Sequence, residues 1–262
     1  MKIQLGTAGS PCSSSLEGIK VIRDSGLQAM EVEFVRGVNM SNATAKEVGR
    51  AAEEEGIRLS IHAPYYISLN STEKAKVQAS IGRILQSCER GHHLGAKYIV
   101  FHPGYYGKMD AETTFQNMKT AIVRIQSVIE KRGWDVKLAP ETTGKVNVFG
   151  NMEETLRLVK ETKCHFCVDF AHLKAREGSI DYSKVLDKLS KFRELHCHFS
   201  GIEFSDKGEK RHILCDKKEA TMLAKAMLKH EINATIINES PDPLGDSIMM
   251  RDILLSSGYK FA

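Results

Sequence analysis

Short apolar runs rich in β-branched residues alternate with longer amphipathic stretches along the whole chain. The runs are 2–6 (KIQLG), 29–34 (AMEVEF), 57–62 (IRLSIH), 97–102 (KYIVFH), 136–141 (VKLAPE), 165–169 (HFCVD), 194–199 (ELHCHF) and 235–239 (TIINE). Their length and composition predict buried strands. The stretches between them, 16–25, 44–55, 73–94, 111–131, 152–161, 182–188, 217–229 and 246–255, space their apolar residues as helices do. Gly26, Gly56, Gly95, Gly133 and Gly258 fall just past five of these stretches, where a left-handed residue closes a helix.

Strands that alternate with helices run parallel, and eight such units close a (β/α)8 barrel, the TIM-barrel member of the α/β class. An open doubly wound sheet would carry a glycine-rich phosphate turn after its first strand; GTAGSP is too short for that and ends in Pro11. No linker or low-complexity tract divides the chain, so residues 1–262 read as one domain. The longest aperiodic stretches, 63–72, 103–110, 142–151 and 199–216, all follow strands. They are predicted to be loops at the C-terminal face of the strands, where barrel enzymes keep their active sites.

Composition narrows the picture only a little. A 42% hydrophobic and 27% charged content suits a globular core and argues against disorder. The net charge of +4 permits a nucleic-acid partner without demanding one. Of six cysteines only Cys164 and Cys167 form a CxxC pair, and their place in a strand favours core packing over redox chemistry. The chain opens without a leader-like apolar stretch, and nothing approaches the ~20 apolar residues of a membrane span. A cytoplasmic protein with no membrane partner, acting as a monomer, is expected.

The candidate chemistry sits where the strands run out. His62, His102, Glu141, Asp169, His196 and Glu239 end six successive predicted strands, and a barrel brings such ends together. Imidazoles mixed with carboxylates suit Zn²⁺, or Mn²⁺ and Fe²⁺ where carboxylates dominate. Asp169 and His172 form a DxxH pair that would share one side of a helical turn and so reach adjacent ions. His212, in a predicted loop, is placed to join His172. No serine or cysteine stands among these motifs with a recognisable base, so the expected nucleophile is water.

HAPYY, VFHPG, the strand ending in Glu141, VDFAH, LHCHFS, RH and NESP together resemble, nearly end to end, the endonuclease IV family of apurinic/apyrimidinic endonucleases. The resemblance implies a TIM barrel with three metal ions, typically zinc. His62, His102 and Glu141 would hold the first; Glu141 would bridge to a second completed by Asp169, His196 and Glu239; His172 and His212 would hold the third. Double-stranded DNA with an abasic site would be the partner, nicked 5′ to the lesion. Two close ions polarise a phosphodiester and activate water near neutral pH, with Glu141 placed to orient that water or take its proton. Tyr65 matches an aromatic that enters the DNA, while Tyr66 is expected to pack its loop. Arg36, Tyr105, Tyr106 and Lys108, on neighbouring loops, are candidates to touch the sugar–phosphate chain.

The sequence departs from the family at one point. An aspartate two residues before the last histidine is replaced by Lys210, which cannot ligate while protonated. Glu209, if the loop is one residue longer, and His198 are alternative ligands. The third ion is therefore expected to be held weakly, leaving a centre of two or three ions. Two other readings compete. Glu141, Asp169, His196 and Glu239 alone would satisfy a metal-dependent sugar isomerase or epimerase of the xylose-isomerase-like type, but that site does not need His62, His102, His172 and His212. A DNA-damage binding protein with a degraded metal site rests on Lys210 alone.

Overall fold

The computed structural model describes residues 1–261. Eight parallel strands form the barrel: β1 (Ile3–Ala8), β2 (Ala29–Glu33), β3 (Arg58–His62), β4 (Tyr98–Phe101), β5 (Lys137–Pro140), β6 (Cys167–Asp169), β7 (Leu195–Phe199) and β10 (Ala234–Asn238). They pair in the order β5-β4-β3-β2-β1-β10-β7-β6. The ring closes between β5 and β6 through a single parallel bridge, Glu141 to Cys167. Two hydrogen bonds flank it, His165 N–H to the Leu138 carbonyl (2.9 Å) and Thr142 N–H to the Cys167 carbonyl (3.0 Å). All eight strands predicted from the apolar runs are present.

The helices wrap outside: α1 (Ser15–Asp24), α2 (Asn42–Glu54), α3 (Lys74–Leu94), α4 (Ala111–Arg132), α5 (Met152–Thr162), α6 (Phe170–Glu177), α7 (Tyr182–Leu189), α8 (Lys217–Lys229) and α9 (Pro243–Ser256). The main hydrophobic core lies between strands and helices, with Ile19, Ile61, Phe101, Ile122, Leu158 and Leu223 among its buried members. Inside the ring, Tyr98, Val100, Ala139 and Cys167 make a small separate apolar layer. Side chains of successive strand residues point to opposite faces, so one set meets the helices and the other fills the barrel. Cys164 and Cys167 are buried and free of disulfides, as are Cys88 and Cys197, while Cys12 and Cys215 are free and half-buried.

Two elements differ from the expected pattern, and both carry site residues. Helix α6 begins directly after β6. Asp169 is its N-cap, accepting from the His172 N–H at 2.7 Å; capping thus sets the DxxH spacing, since the cap bonds the third residue of the first turn. Residues 199–216 were expected to form a loop, but contain an antiparallel hairpin, β8 (Gly201–Ser205) and β9 (Gly208–Ile213). His212 therefore stands on a strand. The hairpin returns to the β5–α5 loop at Gly208, whose φ is +88° and where an added Cβ would lie 2.1 Å from the Gly144 carbonyl oxygen. Only glycine permits both.

The hairpin is irregular. Glu203 pairs with Arg211, yet Phe204 pairs with Glu209, leaving Lys210 as the extra residue of a β-bulge. A bulge shifts alternation by one, so Glu209 takes the face that Lys210 would have shared with His212. Lys210 turns to solvent beside Glu203, at 3.6 Å.

At the other end of the barrel Glu194, just before β7, receives Arg58, Lys97 and, at 3.4 Å, Tyr98 Oη–H. Burial opposes its charge, but hydrogen bonds from Lys97 and Arg58 outweigh burial and hold it at about 2. Because the folded value lies below the ordinary 4.5, this stabilisation is complete above pH ~4.5 and fades as pH falls toward 2. Glu194→Gln is expected to cost about 1–3 kcal/mol at pH 7. Thermal melts should show the gap from the parent narrowing steadily from pH 5 to pH 2.5; an unchanged gap would refute the assignment.

Candidate metal centre

Above the apolar layer the barrel interior becomes polar. The register explains which side chains meet. Asp169 of β6 pairs with His198 of β7, while Cys167 pairs with His196 one layer lower. His198 thus reaches the level of Asp169, with Nδ1 3.2 Å from Glu239 Oε1 and 3.4 Å from Glu141 Oε1. His196 does not reach it. Its Nε2 lies 2.9 Å from Glu31 Oε2 and its ring packs on Tyr98, centroids 5.1 Å apart. His196 was the expected ligand from this strand, with His198 as an alternative; both face inward, and it is His198 that lies level with Asp169 near the strand end.

Among the described residues, donor atoms fall into five groups; Cys167, His196 and His198 form a deep one, Glu31, Glu33 and Glu239 another, and the remaining three are linked at the strand ends. His62, His102 and Glu141 form one; Glu141, Asp169, His198 and Glu239 form the next; Asp169, His172 and His212 form the third. Within each, one atom per residue lies within 4.8 Å of the others. Glu141 belongs to the first two sets and Asp169 to the last two. His62 Nε2 and His102 Nε2 approach Glu141 Oε2 at 3.3 and 3.0 Å. Glu209 stands beside the third set, Oε2 3.4 Å from His172 Nε2.

Three of the imidazoles have one nitrogen hydrogen-bonded and the other turned inward, and a fourth has one nitrogen facing a carboxylate. His62 Nδ1 donates to the Ala63 carbonyl (2.8 Å) and His172 Nδ1 to the Thr142 carbonyl (3.0 Å). His212 Nδ1 pairs with Ser200 Oγ (2.6 Å), and His198 Nε2 faces Glu31 Oε1 (2.9 Å). A neighbour on one ring nitrogen, leaving the second free and oriented, is how proteins hold histidine for a metal. Glu141 Oε1, Asp169 Oδ2 and His172 Nε2 are buried without a hydrogen-bond partner. Such atoms are costly unless a cation satisfies them.

The electrostatics point the same way. Burial disfavours charge on each group, yet His102 and His198 beside Glu141 hold its carboxyl well below the usual range. Burial likewise opposes charge on His62, which the carboxylates of Glu33 and Glu141 push up to about 10. Burial raises Asp169 to about 6 against the pull of His172. Carboxylates that draw protons onto neighbouring imidazoles demand positive charge, and divalent ions supply it while releasing those protons. The donor set therefore fits metal ions.

A cavity of about 580 Å³ opens over the three sets, walled by Glu33, Tyr65, Tyr105, Lys145, Glu209 and Ser240 among others. Tyr65 and Tyr105 are 54% and 51% exposed at its mouth. Tyr66, expected to pack its loop, is 62% exposed instead. Tyr106 is turned away, its hydroxyl donating to Glu154. Arg36 and Lys108 are exposed and do not line the cavity. Glu31, Glu33 and Lys145 were missed by sequence reasoning. Acidic residues at alternate positions of AMEVEF were the available signal, because a strand buried on both faces is otherwise apolar throughout.

A family model described as a xylose isomerase-like TIM barrel matches residues 19–251. The chain belongs to that family. Among relatives of this xylose isomerase-like barrel, an uncharacterized protein of Methanocaldococcus jannaschii is 38% identical over 260 residues, 94% of each chain. A probable endonuclease 4 of Mycoplasmopsis synoviae is 28% identical over 196 residues, 69% of this chain and 68% of its own. Endonuclease IV from Thermus thermophilus superposes with a TM-score of 0.75 at 21% identity, covering 97% of this chain and 99% of that one. The E. coli 3-keto-D-glucoside 4-epimerase does so at 0.70 and 14%, covering 97% and 100%. Such structural likenesses are of fold alone. No described helix of the xylose isomerase-like barrel is long and apolar enough to cross a membrane.

Proposed function

We propose that the chain is a metal-dependent phosphodiester hydrolase of the endonuclease IV type, cutting DNA 5′ to abasic sites. The observation that carries the proposal is the linkage of three donor sets through Glu141 and Asp169. A sugar-isomerase site needs only the middle set; His62, His102, His172, His212 and Glu209 would have no task there. The relative named as a probable endonuclease 4 adds support.

Bound divalent ions, zinc by the histidine content, would polarise the phosphodiester and make water acidic enough to attack near neutral pH. The chain's own residues do the rest. Glu141 is the base, its carboxylate central to the donor sets and able to take the water's proton. Lys145 in the cavity wall meets the substrate's charge. Tyr65, with its ring centroid 5.5 Å from that of His62, offers an apolar face to stack in the gap left by a missing base. Tyr105 at the mouth would contact the flanking strand, and Arg36 and Lys108, exposed on nearby loops outside the cavity lining, would extend that contact.

A second reading, a sugar isomerase or epimerase, is favoured by one observation: Glu33 puts a carboxylate in the cavity wall, suited to polyol hydroxyls and unsuited to phosphate. Zinc- or manganese-loaded protein should nick an abasic duplex and leave ketoses unchanged, and chelation should abolish nicking. Turnover of a ketose without nicking would select the epimerase reading. Tight binding of the abasic duplex without nicking would select a damage-binding protein.

A further inference from the structure

Glu31 lies at the bottom of the centre and coordinates nothing in the three linked sets. It is fully buried in β2; its Oε2 is hydrogen-bonded, and its Oε1 has no hydrogen-bond partner. Ser60 Oγ–H donates to Oε2 at 2.6 Å, from the β3 residue paired with Glu31 in register. His196 Nε2 reaches the same oxygen at 2.9 Å, and His198 Nε2 stands 2.9 Å from Oε1. The last contact is an approach of two buried atoms that have no hydrogen-bond partner, a carboxylate oxygen facing a ring nitrogen.

Carboxylates only accept, and His198 has them at both nitrogens, so an ion decides the tautomer: with Nδ1 ligated, the remaining proton would sit on Nε2, facing Glu31. Nδ1 is the atom beside Glu141 and Glu239. A carboxylate on the far nitrogen also makes the imidazole a stronger donor. Cys167, His196 and His198 cluster closely enough to suggest a separate ion deeper in the barrel. Glu31 occupies Nε2 of both histidines, however, and His198 Nδ1 belongs to the upper set. That leaves His196 Nδ1 and one thiol, too few for a site.

We infer that Glu31, held by Ser60 and braced by His196, is the positioning residue that presents His198 to the middle ion through Nδ1. His196 thereby gains a role as a brace rather than as a ligand. The inference rests on the metal-centre reading but does not depend on which substrate is cut.

The experiment is zinc titration of the full chain, with ¹H–¹⁵N spectra of its histidine side chains. Zinc-loaded parent protein should show His198 protonated at Nε2 with Nδ1 ligated. Glu31→Gln should weaken one zinc equivalent about 10- to 100-fold, while the ion at His62 and His102 keeps its affinity. Ser60→Ala leaves every charge in place and should weaken the same ion by a smaller factor, so the inference stays testable should Glu31→Gln fold poorly. Glu31→Asp should restore part of the loss. Ligation through Nε2, or variants with parental affinity, would overturn the positioning role and leave the metal reading standing. A parent that takes up no divalent ion would overturn both.

Discussion

Glu141→Gln is expected to lower cleavage of an abasic duplex by about a thousandfold, equivalent to roughly 4 kcal/mol of lost transition-state stabilisation. Glutamine preserves volume and the backbone bridge to Cys167. It removes the one negative charge shared by the first two donor sets. An amide neither offsets two dications nor accepts a proton from water, so binding and base function fail together. Metal analysis should show both ions weakened at once, with the melting temperature of ion-free protein changed by only a few degrees. A variant that cuts at the parental rate would remove Glu141 from the reaction. A variant that loses a single ion would make it an ordinary ligand rather than a bridge.

The second large effect is expected at Glu209, and it reverses what Lys210 suggests in the sequence. Lys210 was expected to weaken the third ion, as an ammonium where a carboxylate belongs. The bulge removes it: Lys210 faces Glu203 and solvent, and Glu209 Oε2 stands 3.4 Å from His172 Nε2. Glu209→Ala should therefore cost one metal equivalent and about 10- to 100-fold in rate. Lys210→Asp should leave metal content and rate within twofold of the parent. Deleting Lys210 is the sharper variant: it removes the bulge while leaving Glu209 paired with Phe204, two residues before His212 on the same face, so metal content should be kept. If Lys210→Asp tightens an ion, the bulge does not persist in the loaded protein.

The barrel was legible in the sequence because the strand–helix alternation repeats eight times over and glycines close five of the helices, so each repeat confirms the others. Elements without that redundancy were not. The β8–β9 hairpin has no alternation to read, since GIEFS and GEKRHI are mixed strands lying over the site with one side in solvent. Helix α6 is too short for a period and starts on a residue that also ends a strand. Among the ligands, the difficulty at His196 and His198 was one of height. Both face inward, and only pairing with β6 says which of the two is level with Asp169. Glu31 escaped because its partners are 29 to 167 residues away in sequence, a distance at which no local pattern exists.

The barrel is least continuous where β5 meets β6. One backbone bridge and two adjacent hydrogen bonds close it there, against five paired positions between β1 and β10. Glu141 stands on one side of this seam and Asp169 on the other, and both carboxylates belong to the middle donor set. An ion gripped by the two would work as a clasp across the gap, doing for the ring what further backbone rungs do elsewhere. The energy of gripping it is then partly the energy of keeping the ring shut. Stripping the metal should loosen this stave before any other, so that the wall of the reaction chamber gives way first at the place where the chemistry is done.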